Sequence, residues 1–329
     1  MTAPTQLAAP ALVSPEWSIV VPSYNCAPYL PAALSSVLAQ RPARIAQFEV
    51  VDDRSTDDTA FVLKDFADDG VRVHVNAENQ GPIGNFNTCL RRATGELVHL
   101  LHADDEVLPG FYARMEAAFG HDGVVAAVCR AEYIDKHGTP LETTRVEQES
   151  GVWRRARAVL TVSNRVRPAA IVVRRGAYEA LGGFRTDLPH AADWEMWTRL
   201  AYHGDIWFEN AVLARHRVHS ASDTARRVGT AANIAERAET IRLIAASNPS
   251  RDSWRLERQA MGYTALFAGR TAFGLARNRN WASARAQVLA ALRYGVGGVL
   301  WPGRPRLPVE LPPESRIAPV RRSGGDRGG

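Results

Sequence analysis

The chain has 329 residues, 46% of them hydrophobic and 23% charged, which is ordinary for a soluble globular protein with one large domain and a small appendage. Its three cysteines, Cys26, Cys89 and Cys129, are far apart and form no CxxC pair, which argues against a disulfide framework or a structural zinc site. No run of 18 apolar residues occurs, so we predict no membrane-spanning helix and expect a cytoplasmic protein.

The net charge of +5 is unevenly distributed along the chain. Residues 223–329 carry 18 Lys and Arg against 8 Asp and Glu, so the rest of the chain is net negative. This pattern indicates either an Arg-rich solvated helical surface or contact with an anionic partner. We expect no nucleic-acid partner.

The predicted elements begin after residues 1–16, which contain no Lys or Arg and three prolines and therefore predict a flexible extension rather than a secretory signal. Compact apolar runs at 18–21, 48–51, 71–75 and 97–101 predict buried strands. Amphipathic stretches between them predict helices, and Ser55 with Asp58 resembles a capping box that opens the second helix. This alternation predicts βαβ units, an α/β fold and a parallel sheet.

After residue 105 the pattern is mixed. Helices are predicted over 109–119, 177–181 and 193–203, and strands over 124–129, 170–173, 206–208 and 212–218. Three longer amphipathic stretches at 230–246, 254–276 and 281–294 predict a helical C-terminal region. Gly and Pro dominate from about residue 295, which predicts a disordered tail.

Polar residues follow three of the predicted strands, at 22–25 (PSYN), 52–53 (DD) and 102–105 (HADD). Ligands bind beyond the carboxyl ends of parallel strands, so these residues are expected at one edge of the sheet. Asp52 and Asp53 alone would also suit the start of a helix, but two carboxylate pairs in one sheet favour a site where a divalent cation meets phosphate oxygens. No GxxxxGK[ST] sequence is present, which argues against a P-loop.

Together these motifs resemble the inverting family 2 glycosyltransferases of GT-A fold. The matching segments, in order, are SIVVPSYN (18–25), EVVDDRSTD (49–57), NQG (79–81) with Asn85, LLHADD (100–105), GGF (182–184), DWEMW (193–197) with Arg199, and RVHS (217–220). The resemblance implies a Rossmann-like, mostly parallel sheet flanked by helices, with a helical C-terminal extension. It also implies transfer of a sugar from a nucleotide diphosphate to an acceptor hydroxyl, with inversion and with Mg²⁺ or Mn²⁺ as cofactor.

The resemblance implies roles for individual residues as well. The nucleotide sugar would be bound by Pro22, Tyr24, Asp53, Asn79, Gly81, Asn85 and Asp104, with Asp53 accepting from a ring N–H of the base. Asp105, expected at a solvent-facing strand end, would be the direct metal ligand, and His219 is a weaker candidate that is equally compatible with a structural role. Asp193 would be the general base, since a carboxylate in a helix's first turn can point into a cleft.

The acceptor side is implied to contain Gly183, Phe184 and Trp194, although the two glycines also suit a helix stop and Trp194 also suits the core. Three positions depart from the family pattern. Arg54 stands where a small Gly is usual, His102 replaces a frequent Asp, and Ala192 stands where an acidic residue often precedes the base. The last two leave metal affinity and acceptor geometry open.

The implied organisation is an extension (1–16), a catalytic domain (17–222), a helical region (223–294) and a tail (295–329). The catalytic domain divides into a nucleotide-binding half (17–105) and an acceptor half (106–222). The expected acceptor is a glycan or a lipid-linked sugar in polysaccharide or glycoconjugate biosynthesis. Peripheral contact of the basic C-terminal region with the inner membrane face, packing of that region on the catalytic domain, and an oligomer all stay open.

Two alternatives belong to other functional classes. One is a catalytically inactive module that binds a nucleotide sugar within a polysaccharide assembly. The other is a nucleotidyltransferase, which would be expected to carry a Gly-rich basic loop after the first strand, where this chain has PSYN.

Overall fold

The computed structural model describes residues 14–218, 223–249 and 253–296, except for the side chains of 223–226 and 295–296. The chain divides into two compact units, residues 1–227 and residues 228–329. The strands and helices up to residue 217 are, in chain order, β1 (Trp17–Ser23), α1 (Leu30–Leu38), β2 (Ile45–Asp52), α2 (Thr59–Lys64), β3 (Arg72–Val75), α3 (Gly81–Arg92), β4 (Leu97–Leu100), β5 (Glu106–Val107), α4 (Phe111–Ala118), β6 (Val124–Ile134), β7 (Pro140–Thr143), β8 (Gly151–Val152), α5 (Ala156–Val162), β9 (Ile171–Arg174), α6 (Arg175–Leu181), α7 (Ala192–His203) and β10 (Asp205–Arg217).

These strands form one sheet in the order β3-β2-β1-β4-β9-β6-β10-β5, with β7 paired to β6 and β8 paired to β10. The pairs β3–β2, β2–β1 and β1–β4 are parallel, and Ser23 at the end of β1 lies opposite Asp52 at the end of β2. Strand β9 then pairs antiparallel with both β4 and β6. The α/β fold class is therefore confirmed. The sheet is parallel up to β4 and mixed beyond it.

The continuous apolar character of β1 follows from its place in the middle of the sheet. Every residue of β1 is buried, as expected for a strand with helices on both faces. Helix α1 packs Leu30, Leu34 and Val37 into the core at helical spacing, and each such side chain contributes about 1.5–3 kcal/mol. Trp17 is fully buried, and its indole N–H donates to Glu116 Oε2 at 2.8 Å.

Two sequence-based expectations about elements are wrong. Helix α2 begins at Thr59, and Ser55 does not cap it; the backbone N–H and the hydroxyl of Ser55 donate to the Asp52 carboxylate at 3.1 and 2.5 Å. Ser55 therefore closes the turn that follows β2. The predicted strands at 206–208 and 212–218 are one strand, β10, whose pairing with β6 shifts register between Glu209 and Ala214. These shifts interrupt the apolar pattern without ending the strand.

After α8 (Asp223–Thr230), the second unit contains α9 (Ala232–Ser247), α10 (Ser253–Arg277), α11 (Trp281–Ala290) and a π-helical turn over Ala291–Val296. Ile234 and Ala268 belong to its apolar core. The buried Gln287 amide donates to the Val228 carbonyl at 2.7 Å and to Asn233 Oδ1 at 2.9 Å. None of the helices in the described ranges is long and apolar enough to cross a membrane.

Candidate active site

The segment after β3 fixes the carboxylate of Asp53 at the edge formed by β1 and β2. This residue directly follows β2, is 1% exposed, and donates its backbone N–H to the Ser23 carbonyl at 2.8 Å. Its Oδ1 accepts from Asn76 Nδ2 at 2.8 Å and from the Gln80 backbone N–H at 2.9 Å. Two donors on one oxygen hold the carboxylate in a single orientation at the edge of the sheet.

The loop that leads into α3 is organised by two asparagines. Asn79 Nδ2 donates to the Asp53 carbonyl at 3.0 Å, and its Oδ1 accepts from the Gly81 N–H at 3.1 Å. Gly81 has φ +73°, a conformation that favours glycine. Asn85 is 2% exposed and donates to the Val51 carbonyl at 3.0 Å. Asn79 and Asn85 therefore fix the conformation of the sheet edge through hydrogen bonds between their side chains and backbone atoms.

Two exposed side chains flank this edge. Pro22 is buried within β1, whereas Tyr24, the first residue after β1, is 48% exposed. Arg54 follows Asp53 with φ +62°, in the left-handed region that favours glycine, which accounts for the small residue usual at this position. Its Nη1 donates to the Ala77 carbonyl at 3.0 Å. Tyr24 and Arg54 are therefore the exposed neighbours of the fixed Asp53 carboxylate.

A cluster of His102, Asp104 and Asp105 follows β4. One ring nitrogen and one oxygen from each carboxylate all lie within 4.8 Å of one another. His102 Nε2 is buried and has no hydrogen-bond partner within the described residues. A divalent ion holds its ligands at about 2.0–2.2 Å, so atoms on opposite sides of it are about 4.2 Å apart. The cluster therefore fits a divalent cation after small side-chain movements.

Strand β10 holds the carboxylate of Asp105 in place. Asp105 is fully buried, its Oδ1 accepts from the Arg217 backbone N–H at 2.8 Å, and both oxygens lie 3.1 Å from His216 Nδ1. A carboxylate has about four lone-pair positions, so these contacts leave room for an ion. Burial acts to lower the pKa of His216, but the charge of Asp105 and its hydrogen bond outweigh burial and raise that pKa. The expected solvent-facing position of Asp105 is wrong, because β5 and β10 pair beside it.

Arg217 fixes the backbone of the same cluster. It is 6% exposed, and its guanidinium donates to the carbonyls of Asp104 at 2.9 Å and Asp135 at 3.1 Å. His219, the weaker metal candidate, lies outside the described residues. Within them, the histidine whose ring lies at hydrogen-bond distance from the Asp105 carboxylate is His216.

Asp193 lies in the first turn of α7, and its Oδ2 accepts from Asn164 Nδ2 at 2.9 Å. This contact from the segment between α5 and β9 orients the carboxylate. Trp194 is 1% exposed, and its indole N–H donates to the Leu160 carbonyl. Its assignment to the acceptor side is not supported, because its ring belongs to the core that anchors α7.

The segment that carries Asn164 also brings a cation towards the cluster. The guanidinium carbon of Arg167 lies 6.0 Å from the centre of the Tyr133 ring, which in turn packs edge-on against His216 with centroids 5.7 Å apart. The charge of Arg167 acts on His216. Arg167 Nε has no hydrogen-bond partner in the described part of the chain. Asn164 and Arg167 thus link Asp193 to the neighbourhood of the carboxylate cluster.

The loop after α6 is fixed from two sides. Asn87 on α3 accepts from the Phe184 N–H at 2.7 Å and donates to the Phe184 carbonyl at 2.8 Å. Arg199 on α7 donates to the carbonyls of Leu181 at 2.7 Å and Gly183 at 2.9 Å. A Cβ on Gly183 would lie 2.3 Å from Asn87 Oδ1, so this close approach requires glycine. A cavity of about 360 Å³ lies beside the loop.

Aromatic packing connects this loop to the cluster of His102, Asp104 and Asp105. Phe184 is 4% exposed and packs against Phe86 on α3, with ring centroids 5.7 Å apart. Phe86 in turn packs on the imidazole of His102, with centroids 4.8 Å apart. Phe184 is therefore a buried residue, and its ring belongs to the aromatic packing that supports the His102 imidazole.

Several of these residues were not predicted as site residues from the sequence. They are Asn76, Asn87, Asn164, Arg167 and His216, and His102 was noted only as a departure from the family motif. Their partners lie far away along the chain; for example, Asn164 is 29 residues from Asp193 and His216 is 111 residues from Asp105. No local spacing rule connects residues at such distances, whereas buried asparagines and histidines in otherwise apolar runs are a general signal of a bonded network.

The sheet edge with its fixed carboxylate, the carboxylate cluster after β4 and the carboxylate in the first turn of α7 are the features that the resemblance to GT-A glycosyltransferases implies. Residues 18–182 match glycosyl transferase family 2, and the chain belongs to this family of glycosyltransferases.

The relatives include proteins with and without an assigned activity. An uncharacterized protein of Mycobacterium tuberculosis is 27% identical over 245 residues, which cover 67% of this chain and 72% of that protein. The UDP-Glc:alpha-D-GlcNAc-diphosphoundecaprenol beta-1,3-glucosyltransferase WfgD of Escherichia coli is 38% identical over 88 residues, covering 27% of this chain and 34% of that enzyme. Several relatives are thus matched over only about a third of their length.

Solved structures with the same fold include TarS residues 1–349 of S. aureus, at 18% identity and a TM-score of 0.60, covering 86% of this chain and 83% of that one. The mannosyltransferase PcManGT from Pyrobaculum calidifontis, solved with GDP-Man and Mn²⁺, is 20% identical with a TM-score of 0.55 over 92% of each chain. At these identities the similarity bears on the fold, and it confirms the GT-A architecture.

Proposed function

We propose that this glycosyltransferase moves a sugar from a nucleoside diphosphate to an acceptor hydroxyl with inversion at the anomeric carbon, using Mg²⁺ or Mn²⁺. The observation that carries the proposal is that four carboxylates lie at three separate places in one unit. Asp53 is fixed at the β1–β2 edge, Asp104 and Asp105 lie after β4, and Asp193 is oriented by Asn164.

The donor half of the reaction would use the sheet edge. Asp53 would accept a hydrogen bond from the base, and Pro22 and Tyr24 would frame the ring, with the exposed Arg54 beside them. A cation bound by Asp104 and Asp105 would neutralise the departing diphosphate. Arg167, the nearby cation without an Nε partner, is suited to the same negative charge.

The acceptor half would use Asp193 as general base. Its carboxylate would remove the proton from the acceptor hydroxyl while that oxygen attacks the anomeric carbon from the face opposite the diphosphate. The hydrogen bond from Asn164 occupies Oδ2 and holds the carboxylate in one orientation. A single displacement of this kind inverts the anomeric configuration.

We also propose a lipid-linked acceptor met at the inner membrane face. The E. coli relative carries diphosphoundecaprenol in its name. On α10, Leu266 and Phe273, each 67% exposed, alternate at helical spacing with the exposed Arg270 and Arg277. Residues 258–309 contain no Asp or Glu. An apolar and basic helix face of this kind suits the interface of an anionic bilayer.

The membrane part can be tested by flotation with vesicles that contain phosphatidylglycerol. The full-length protein should float, and the Leu266→Glu, Phe273→Glu double variant should not. Phe61→Glu, which alters an equally exposed aromatic residue on α2, is the matched control and should float like the wild type. Equal flotation of all three proteins would contradict membrane docking through α10.

The catalytic part is tested first by calorimetric titration with UDP and GDP in the presence of Mn²⁺, and then by turnover of the matching sugar donors. Asp193→Asn should bind the nucleotide like the wild type, while its transfer rate falls by about 10²–10⁴-fold, the usual worth of a positioned base. Asp187 is an exposed carboxylate on the loop before α7, and Asp187→Asn should keep the nucleotide binding and the transfer rate of the wild type.

Three results would contradict the proposal. Binding of neither nucleotide would refute it outright. Nucleotide binding without transfer or hydrolysis of any donor would favour the inactive binding module. A product with retained configuration would exclude single displacement.

A further inference from the structure

We propose that His102 is a direct ligand of the catalytic cation, and that this makes the site a mixed nitrogen and oxygen site that selects Mn²⁺ over Mg²⁺. The inference rests on the proposed function, because it concerns the cation of the same site. It assigns a role to a residue that departs from the family motif.

The first argument is the position of the imidazole. A ring nitrogen of His102 lies within 4.8 Å of carboxylate oxygens of both Asp104 and Asp105. His102 Nε2 is buried without a hydrogen-bond partner in the described residues. Buried polar atoms in native proteins are nearly always paired, so this atom points to a partner from outside the chain. A cation is a partner that the imidazole, through whichever ring nitrogen faces the carboxylates, can share with Asp104 and Asp105.

The second argument is that packing holds the ring in place. The imidazole lies against Phe86 with centroids 4.8 Å apart and the planes inclined by 31°. Phe86 is itself backed by Phe184. The Asp105 N–H donates to the His102 carbonyl at 3.1 Å, which closes a turn between the two residues. A ligand whose orientation is set by packing needs only a small movement to bind.

The third argument concerns the choice of ion. Mg²⁺ takes oxygen ligands in near-ideal octahedral geometry, whereas imidazole nitrogen is a better ligand for first-row transition ions. Compared with the Asp that is frequent at this position, His102 carries one negative charge fewer and offers a nitrogen instead of an oxygen. The lost charge weakens the binding of both ions, whereas the change from an oxygen to a nitrogen ligand weakens Mg²⁺ more than Mn²⁺. The site should therefore discriminate against Mg²⁺ more strongly than an all-carboxylate site of the same family.

The test uses the full-length protein loaded with Mn²⁺ and whichever of UDP or GDP binds. Pulsed electron paramagnetic resonance of bound Mn²⁺ should show coupling to a directly coordinated ¹⁴N. The coupling should disappear in His102→Ala and His102→Asp, and the Kd for Mn²⁺ should rise by about 10-fold or more in His102→Ala. In His102→Asp, competition titrations should show a smaller preference for Mn²⁺ over Mg²⁺.

His137→Ala, which removes an exposed histidine of the same unit, is the matched control and should keep both the coupling and the affinity. Thermal melting of each variant checks that the fold is retained. Coupling that persists in His102→Ala would overturn the inference, as would coupling that disappears only in His216→Ala or His219→Ala. Mn²⁺ bound without any nitrogen ligand would overturn this inference alone. Failure of the wild type to bind Mn²⁺ would overturn the metal dependence in the proposed function as well.

Discussion

Removing the carboxylate of Asp105 should destabilise the protein as well as the metal site. Asp105→Ala leaves the Arg217 backbone N–H and the His216 Nδ1 without the acceptor that both now contact at 2.8–3.1 Å. An unsatisfied buried donor costs about 1–3 kcal/mol, so the two together cost about 2–6 kcal/mol. Domains of this size lose about 2–4 °C in Tm for each kcal/mol, which predicts a fall of roughly 5–20 °C.

Asp105→Asn should be milder in stability and equally damaging to the metal site. The amide oxygen can still accept from Arg217, and the amide nitrogen can donate to His216 if that ring carries its proton on Nε2. We expect a loss of about 1 kcal/mol, with metal affinity reduced as strongly as in Asp105→Ala. Asp104→Ala is the control for position, because Asp104 is less buried than Asp105 and its backbone carbonyl, which accepts from Arg217, is kept in the variant.

The assay is thermal melting of the three variants with and without Mn²⁺, together with Mn²⁺ titration. The expected order of Tm without metal is wild type, Asp105→Asn, Asp105→Ala. An Asp105→Ala variant that melts within 2 °C of the wild type would show that the contacts from β10 do not stabilise the fold. A variant that melts lower but binds Mn²⁺ normally would show that Asp105 supports the structure without holding the ion.

Two further predictions concern stability. Burial lowers the pKa of His99 to about 4, against about 6.5 in the unfolded chain, so the unfolded state takes up the extra proton and stability falls as pH drops through this window. Between pH 7 and 4.5 this lowers the free energy of unfolding by about 2–3 kcal/mol. The free energy of unfolding of His99→Gln, measured with urea, should therefore depend less on pH than that of the wild type. The same pH dependence in both proteins would contradict the assignment. Gly183→Ala should destabilise by about 1–3 kcal/mol because its Cβ meets Asn87, whereas Gly176→Ala, with open space around an exposed helix position, should be neutral or stabilising by up to about 1 kcal/mol. Chemical denaturation of both variants decides this pair, and equal effects would refute the steric argument.

The positions of the residues in the proposed donor half were predictable because these residues follow strands. An uninterrupted apolar run such as β1 indicates a strand covered on both faces, and the polar residues after it must then lie at the sheet edge. Asp53 and Asp104 could be placed in this way from the sequence alone. The same reasoning predicted the position of Asp105 after a strand correctly but predicted its burial wrongly. Asp105 is buried because β5 pairs antiparallel with β10, and a two-residue strand gives no signal of that pairing in the sequence.

The structure of the proposed acceptor half was less predictable for a physical reason. Its sheet is mixed, with β9 inserted antiparallel between β4 and β6, so chain order no longer gives strand order. Trp194 shows the second difficulty: a tryptophan next to a candidate base suits a sugar-stacking role and a core role equally well in sequence. Only the hydrogen bond from its indole to Leu160 assigns it to the core.

The departures from the family motif were visible in the sequence, but their meaning was not. Arg54 could be recognised as unusual, yet its positive φ and its bond to Ala77 required coordinates. His102 looked like a loss of one carboxylate. In the inference proposed above, its imidazole instead offers a nitrogen ligand at the same place.

Residues of β10 orient the Asp105 carboxylate, and this determines when the site around it can form during folding. The carboxylate and the residues that orient it are 111 and 112 positions apart in sequence, so they meet only after a long loop has closed. A chain still emerging from the ribosome would contain the family-matching segment 18–182 well before it contained His216 and Arg217. Tight binding of Mn²⁺ would therefore mark the moment when β10 joins β6, and an ion titrated during refolding would report the arrival of the last strand rather than the first.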